Sequence, residues 1–269
     1  MVCPVTDLRI PRDGADLAVD RPSGARPIAV YAHGMSSSRR FDDESGIFDW
    51  TPVDGDDREL VRFDARGHGE STGRPVPADY IWTALADDLL AVIDAVSPEE
   101  PVDAIGASMG SAAILWAVLR APHRFRRLVL SLTPTAWETR AGHSSGYLST
   151  ATLLENEGLE ALFAMVSAMP PPPIITAGGW STEPRPPAVD VSLLPSVMRG
   201  AAQSDLPDVE SVTHITHPTL LLPWDTDAGH PVSTAQRLAE LLPDATLEIA
   251  TEPDHVRGWG ARAARFLGA

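Results

Sequence analysis

Residues 101–120 constrain this chain more than any other segment: Pro-Val-Asp-Ala-Ile-Gly106-Ala-Ser108-Met-Gly110 runs directly into the apolar stretch Ser111 to Leu119. The pattern predicts a short buried strand, a Gly-x-Ser-x-Gly turn and a helix, in that order. A serine on so sharp a strand-to-helix turn adopts strained backbone geometry, which calls for glycines on both sides and leaves the hydroxyl exposed above the sheet edge. The helix N-terminus then faces any anion formed there. The same pattern recurs at Gly142-His143-Ser144-Ser145-Gly146. No strand character precedes that copy and no sustained apolar face follows it. Context selects Ser108 as the candidate nucleophile and leaves Ser144 as a polar loop residue.

Around this turn, short β-type runs alternate with longer helical patterns, the signature of a mostly parallel sheet covered on both faces. Residues 2–10 and 15–20 read as an opening antiparallel pair, and Pro27–Ala32 as a buried strand ending at His33-Gly34. Glu59–Phe63 is the next strand, and Tyr80–Val96 carries apolar residues at helical spacing until Pro98 and Pro101. A helix over 110–121 and a core strand over Arg127–Leu132 follow. The alternation then breaks over 134–206, where helices near 148–168 and 191–203 are separated by Pro170–Pro173, read as a stiff connector, and by further Gly and Pro clusters. The sheet resumes with strands at Pro218–Leu222 and Ala245–Ala250 and helices at Val232–Leu242 and Gly258–Leu267. This gives an α/β core domain of residues 1–133 and 207–269 with a helical, Pro-rich lid insertion at 134–206, and no internal repeats.

A chain of 269 residues with formal charge −16 disfavours nucleic acid and anionic lipid, which need a basic surface. The Arg124-Phe-Arg126-Arg127 cluster reads as a solvated segment before a strand. No apolar run approaches the roughly 20 residues that span a bilayer. The single cysteine, Cys3, cannot form an internal disulfide, and no secretory leader pattern is visible, so a cytoplasmic monomer or homodimer acting on a small molecule is expected.

A serine hydroxyl needs a base, usually histidine, and a carboxylate to orient that base. Two loops at strand C-terminal ends supply them: Pro223-Trp224-Asp225-Thr226-Asp227-Ala228-Gly229-His230-Pro231, and Thr251-Glu252-Pro253-Asp254-His255. The order Ser, Asp, His suits a nucleophile on such a sheet. His230 reads as a loop-stabilising neighbour of the acid. His214 and His217 lie in an extended segment rather than on a helix, and no metal site is expected from them.

With these motifs, the chain resembles the α/β-hydrolase superfamily, of the lid-bearing serine esterase and lactonase type that includes enol-lactonases and small carboxylesterases. The resemblance implies a mostly parallel eight-stranded sheet with helices on both faces. It matches Asp227 to a Gly-x-x-Asp-x-x-x-Pro run in which Trp224 replaces the glycine and Pro231 closes the run. Asp227 is therefore the expected acid, with Asp225 the alternative, and His255 matches the terminal histidine loop as the expected base. An oxyanion needs donors. The Met109 N–H of the turn is one, and by resemblance the Met35 N–H after His33-Gly34 is the other. Asp64-Ala-Arg66-Gly67-His68-Gly69-Glu-Ser71 resembles a family loop of structural role, in which Asp64 and Arg66 could pair. Trp137, Leu154 and Phe163 of the insertion, with His33, Gly34 and Trp224, are the candidate substrate contacts, although lid residues could equally be core.

The implied activity is hydrolysis of carboxylic esters or lactones of small, apolar substrates through an acyl-enzyme, with no cofactor. Carbon–carbon bond hydrolysis, perhydrolysis and acyl transfer use the same three groups and stay open. So does a non-catalytic binding protein on the same fold.

Overall fold

The computed structural model describes residues 8–24, 27–55 and 58–268. Cys3 and the start of the expected first strand lie outside them. Strands β1 (Leu8–Arg12), β2 (Ala15–Val19), β3 (Ile28–Ala32), β4 (Glu59–Phe63), β5 (Val102–Ala107), β6 (Phe125–Ser131), β7 (Thr219–Leu222) and β8 (Ala245–Leu247) form one eight-stranded sheet in the order β1-β2-β4-β3-β5-β6-β7-β8. The β1–β2 hairpin is antiparallel, and β2 meets β4 antiparallel at Val19 and Phe63. From β4 to β8 every neighbour is parallel.

The helices among the described residues are α1 (Arg39–Ser45), α2 (Trp82–Val96), α3 (Met109–Arg120), α4 (Arg140–Glu157), α5 (Leu159–Ser167), α6 (Pro173–Ala177), α7 (Leu194–Ala202), α8 (Val209–Val212), α9 (Val232–Leu241), α10 (Pro253–Arg257) and α11 (Trp259–Gly268). Strands β3, β5 and β7 are buried along their whole length, as a sheet covered on both faces requires. Their side chains alternate between two cores. Val30, Ala104 and Leu221 face α2, α3 and α9, while Tyr31, Ile105 and Leu222 face Trp50, Trp259 and α11. A third cluster joins Leu154 of α4, Leu162 of α5 and Val197 of α7 to Tyr80.

Several sequence expectations change. The helix expected near 148–168 is two helices broken at Gly158, whose φ of 80° favours glycine. α4 also begins earlier than expected and absorbs Gly142 and Gly146. Ser144 therefore lies in a helix, not in a loop. The last strand is short: beyond Leu247 only isolated bonds persist, such as Ala250 N–H to Pro223 O at 2.8 Å. Helix α1 was not expected, because Arg-Arg-Phe-Asp-Asp-Glu-Ser has almost no apolar content. It is instead specified by its ends. The Ser38 hydroxyl accepts the Phe41 N–H at 3.0 Å, and Gly46 closes the helix at φ 64°.

Candidate active site

Ser108 sits between β5 and α3 with φ 50° and ψ −110°, an uncommon conformation for a residue with a side chain. Close approach of β3, β5 and α3 makes both flanking glycines obligatory. A Cβ on Gly110 would lie 2.0 Å from the Ala32 carbonyl oxygen, and one on Gly106 would lie 2.6 Å from the Ser111 nitrogen. The strained serine is tied down by its own backbone, since its N–H donates to Ser131 O at 3.0 Å and its C=O accepts the Ser111 hydroxyl at 2.6 Å. Its side chain is left partly exposed at the N-terminus of α3.

The loop after β7 brings two further side chains into line with it. Ser108 Oγ lies 2.8 Å from His230 Nε2, and His230 Nδ1 lies 2.8 Å from Asp227 Oδ2. With Nδ1 donating to the carboxylate, Nε2 is left as the acceptor for the serine proton. Asp227 is further held by Trp224 Nε1–H at 2.8 Å, Gly229 N–H at 2.8 Å and His230 N–H at 3.2 Å. Burial, the largest single influence, opposes its ionisation. The bonds and charge of His230 and the donors Trp224 and Gly229 outweigh that and hold the carboxyl below the ordinary range.

His255, the expected base, lies elsewhere. Pro253 opens α10, and the exposed His255 ring is wound into that helix, where it accepts the Thr251 N–H at 3.3 Å and lines a surface groove with Glu248, Trp259 and Arg262. His230, expected only to brace the acid, occupies the position next to Ser108. Sequence reasoning passed over it because family register pointed to the loop after the last strand. The available signal was its three-residue spacing from Asp227. Asp225 donates its backbone N–H to Ala250 O at 3.0 Å, and the histidine contact belongs to Asp227.

A cleft of about 320 Å³ opens above Ser108 and is lined by Gly34, Met35, Trp224 and His230 among others. A Cβ on Gly34 would stand 3.6 Å from Ser108 Cβ, so the Gly34–Met35 peptide lies directly beside the serine. The other candidate substrate contacts are used differently. His33 is buried, with Nδ1–H donating to Gly34 O at 2.8 Å and Nε2 accepting the Ala65 N–H at 2.9 Å. The Trp137 indole N–H donates to Pro207 O at 2.9 Å and its ring packs on the core; Leu154 is core of the α4–α7 cluster; Phe163 is half-buried and does not line the cleft. In their place the cleft takes Phe41, Asp42 and Phe48 from the segment around α1, and His143 and Tyr147 from α4. Burial, Arg140 and His230 push His143 below its ordinary pKa, while its ring stands edge-on to Tyr147 at 4.8 Å. Asp42 accepts hydroxyl protons from Tyr31 at 2.6 Å and Ser37 at 2.5 Å. Burial raises its pKa against the opposing influence of His33, Ser37 and Tyr31.

The 64–71 loop is a scaffold behind this cleft, with partners other than those expected. Arg66 pairs with Asp88 at 2.6 and 2.7 Å, and Asp64 receives Arg39 at 2.9 and 3.2 Å, so the two do not pair with each other. His68 is fully buried 5.3 Å from the His33 ring, and burial, followed by the nearby His33, lowers its pKa to about 3. His214 Nδ1 contacts Glu210 O and His217 Nε2 contacts Pro122 O. Among the described residues no group of three or more His, Cys, Asp or Glu is arranged to hold a metal, and no helix is long and apolar enough to cross a membrane.

A strained serine between β5 and α3 on a mostly parallel eight-stranded sheet, with a histidine and an acid brought to it by the loop after β7, defines a class. The chain belongs to the α/β-hydrolase-fold family, whose profile matches residues 49–152. It is 30% identical over 256 residues to the Agrobacterium fabrum protein named "Putative carbamate hydrolase RutD", covering 87% of this chain and 91% of that one. Among solved structures, a hydrolase from Pseudomonas aeruginosa superposes with a TM-score of 0.78 at 24% identity over 99% of both chains. The enol-lactonase of Burkholderia xenovorans superposes with a TM-score of 0.72 at 18% identity over 95% of this chain and 97% of that one. The chain also matches mycobacterial relatives at 37% identity over 112 residues, and there it spans 18% of their length.

Proposed function

We propose that the protein is a serine hydrolase of small carboxylic esters or lactones, with Ser108 as nucleophile, His230 as general base and Asp227 as the acid that orients it. The observation that carries this reading is the pair of 2.8 Å contacts from Ser108 Oγ to His230 and from His230 to Asp227. His230 Nε2 takes the Ser108 proton as Oγ attacks the substrate carbonyl, and Asp227 stabilises the imidazolium that forms. The Met35 and Met109 N–H groups receive the oxyanion, a contribution on the order of 3 kcal/mol per donor. The tetrahedral species collapses as His230 returns the proton to the leaving oxygen. Water, activated by the same ring, then cleaves the acyl-enzyme. Helices α4–α7 serve as the lid, with His143 and Tyr147 forming its inner surface.

The test is hydrolysis of short-chain p-nitrophenyl esters by the wild type and by Ser108→Ala, with intact-mass detection of a fluorophosphonate adduct. Turnover and labelling that both vanish in the variant support the reading, and absence of both in the wild type defeats it. A second reading, carbamate hydrolysis, draws on the name of the Agrobacterium relative. It differs only in a nitrogen beside the attacked carbonyl, so a matched ester and carbamate pair separates the two.

A further inference from the structure

Part of the lining of the cleft above Ser108 is polar. Ser37, Asp42 and Ser45 line it together with the aromatic Phe48, Tyr147 and Trp224. The Ser37 hydroxyl donates its proton to Asp42 Oδ1 at 2.5 Å, and the Ser45 hydroxyl donates to the Asp42 backbone carbonyl at 2.8 Å. Tyr31 donates to the second carboxylate oxygen at 2.6 Å. Each hydroxyl has a single proton, so once both are given to Asp42, with the Ser45 oxygen also accepting the Ile47 N–H at 3.3 Å, these side chains offer the cleft lone pairs and carboxylate charge rather than donors. A carboxylate that accepts two hydroxyl protons has the bonding pattern of the ionised form, against which burial works.

We propose that this part of the lining is a substrate subsite for a protonated amine or quaternary ammonium group. The inference rests on the hydrolase reading of Ser108 and supplies its substrate class. A surface that can only accept hydrogen bonds is complementary to a cation and to N–H donors, and leaves a substrate carboxylate or phosphate unmatched. No arginine or lysine lines the cleft among the described residues. Arg62 and His33 are felt by Asp42. The aromatic rings in the same lining are of the kind that attracts a cation, and a formal charge of −16 draws cations toward the molecule. Asp42 is thus a specificity-determining residue.

The test compares kcat/KM for butyrylthiocholine with that for its uncharged isostere S-(3,3-dimethylbutyl) thiobutyrate, following the released thiol. The wild type should prefer the cationic ester at least tenfold, and Asp42→Asn should bring the ratio to within about threefold of unity. Equal rates in the wild type, or a preference that survives in Asp42→Asn, would overturn the subsite. Because Asp42 is buried, a measurement needing no variant accompanies these. Benzyltrimethylammonium should slow fluorophosphonate labelling of wild-type Ser108 more than 3,3-dimethylbutan-1-ol does at equal concentration, and equal protection counts against the proposal. If Ser108 neither turns over esters nor labels, the hydrolase reading fails separately. The subsite is then judged by calorimetric titration of benzyltrimethylammonium into the wild type, where measurable binding supports it and its absence removes it.

Discussion

The loops after β7 and β8 each hold an acid and a histidine at the same edge of the sheet, and they are built in opposite ways. Between Trp224 and His230 the Asp227 carboxylate gathers an indole N–H, two backbone N–H groups and an imidazole. Thr226, at φ 62°, turns the chain so that a histidine three residues on can reach back to that carboxylate. In the β8 loop, Pro253 starts a helix, His255 is exposed and Asp254 pairs with Arg257 at 2.8 Å. On the proposed assignment, the contrast teaches that a histidine becomes a base through the hydrogen bonds that fix its ring, not through the strand it follows.

Exchanging the two histidines' fates is the sharpest way to break this comparison. His230→Ala should lower kcat/KM for p-nitrophenyl acetate by about 10³–10⁴, the loss expected when a triad member is removed. A variant within tenfold of wild type would return the base role to another residue. Asp227→Asn should cost about 10³ in kcat with KM nearly unchanged, because the amide can donate to His230 and favour the wrong tautomer. Trp224→Phe removes one donor to a charged acceptor and should cost about tenfold in kcat, with a raised acidic limb in the pH–rate profile.

A third histidine shows burial without such a partner. His68 stays neutral in the native state down to about pH 3, whereas its unfolded form takes up a proton near 6.5. The unfolded state therefore binds more protons between those values, so this term is fully present above pH 6.5 and is lost as pH falls, by about 1.4 kcal/mol per unit. Thermal unfolding followed by circular dichroism should show Tm falling through that window, with a shallower slope in His68→Gln. The smallest effect is expected for His255→Ala, within about twofold in kcat/KM, since among the described residues the ring bonds only the Thr251 N–H.

The sheet and Ser108 were legible in the sequence because both are written in short-range signals. Apolar runs such as Ile28–Ala32 and Leu220–Leu222 set the strands, and the glycines at 106 and 110 set the turn. The Asp227 contact with His230 lies in the run that the spacing to Pro231 singled out. His230's contact with Ser108 was harder to read: its three-residue spacing from Asp227 was a signal, but the left-handed Thr226 and the distance across to β5 that complete the contact are not written in spacing. The cleft walls were missed for a related reason. Gly142 and Gly146 read as breakers, yet α4 runs through them and carries His143 and Tyr147 to the cleft. Arg39–Ser45 lacks an apolar face, so only the Ser38 and Gly46 caps announced the helix that brings Asp42 there.

The strained backbone of Ser108 also sets a limit on how this protein can be redesigned. Its conformation is enforced from three directions, by β3 through Gly110, by α3 through Gly106 and by β6 through Ser131. On the proposed assignment, acid and base instead share a seven-residue stretch from Trp224 to His230 that is hydrogen-bonded largely to itself. Transplanting the chemistry into another scaffold would thus require moving the whole sheet centre for the nucleophile but only a single cassette for its two partners. On the same assignment the β8 loop carries no reacting group, which makes it the natural place to insert a tag or a tethered domain.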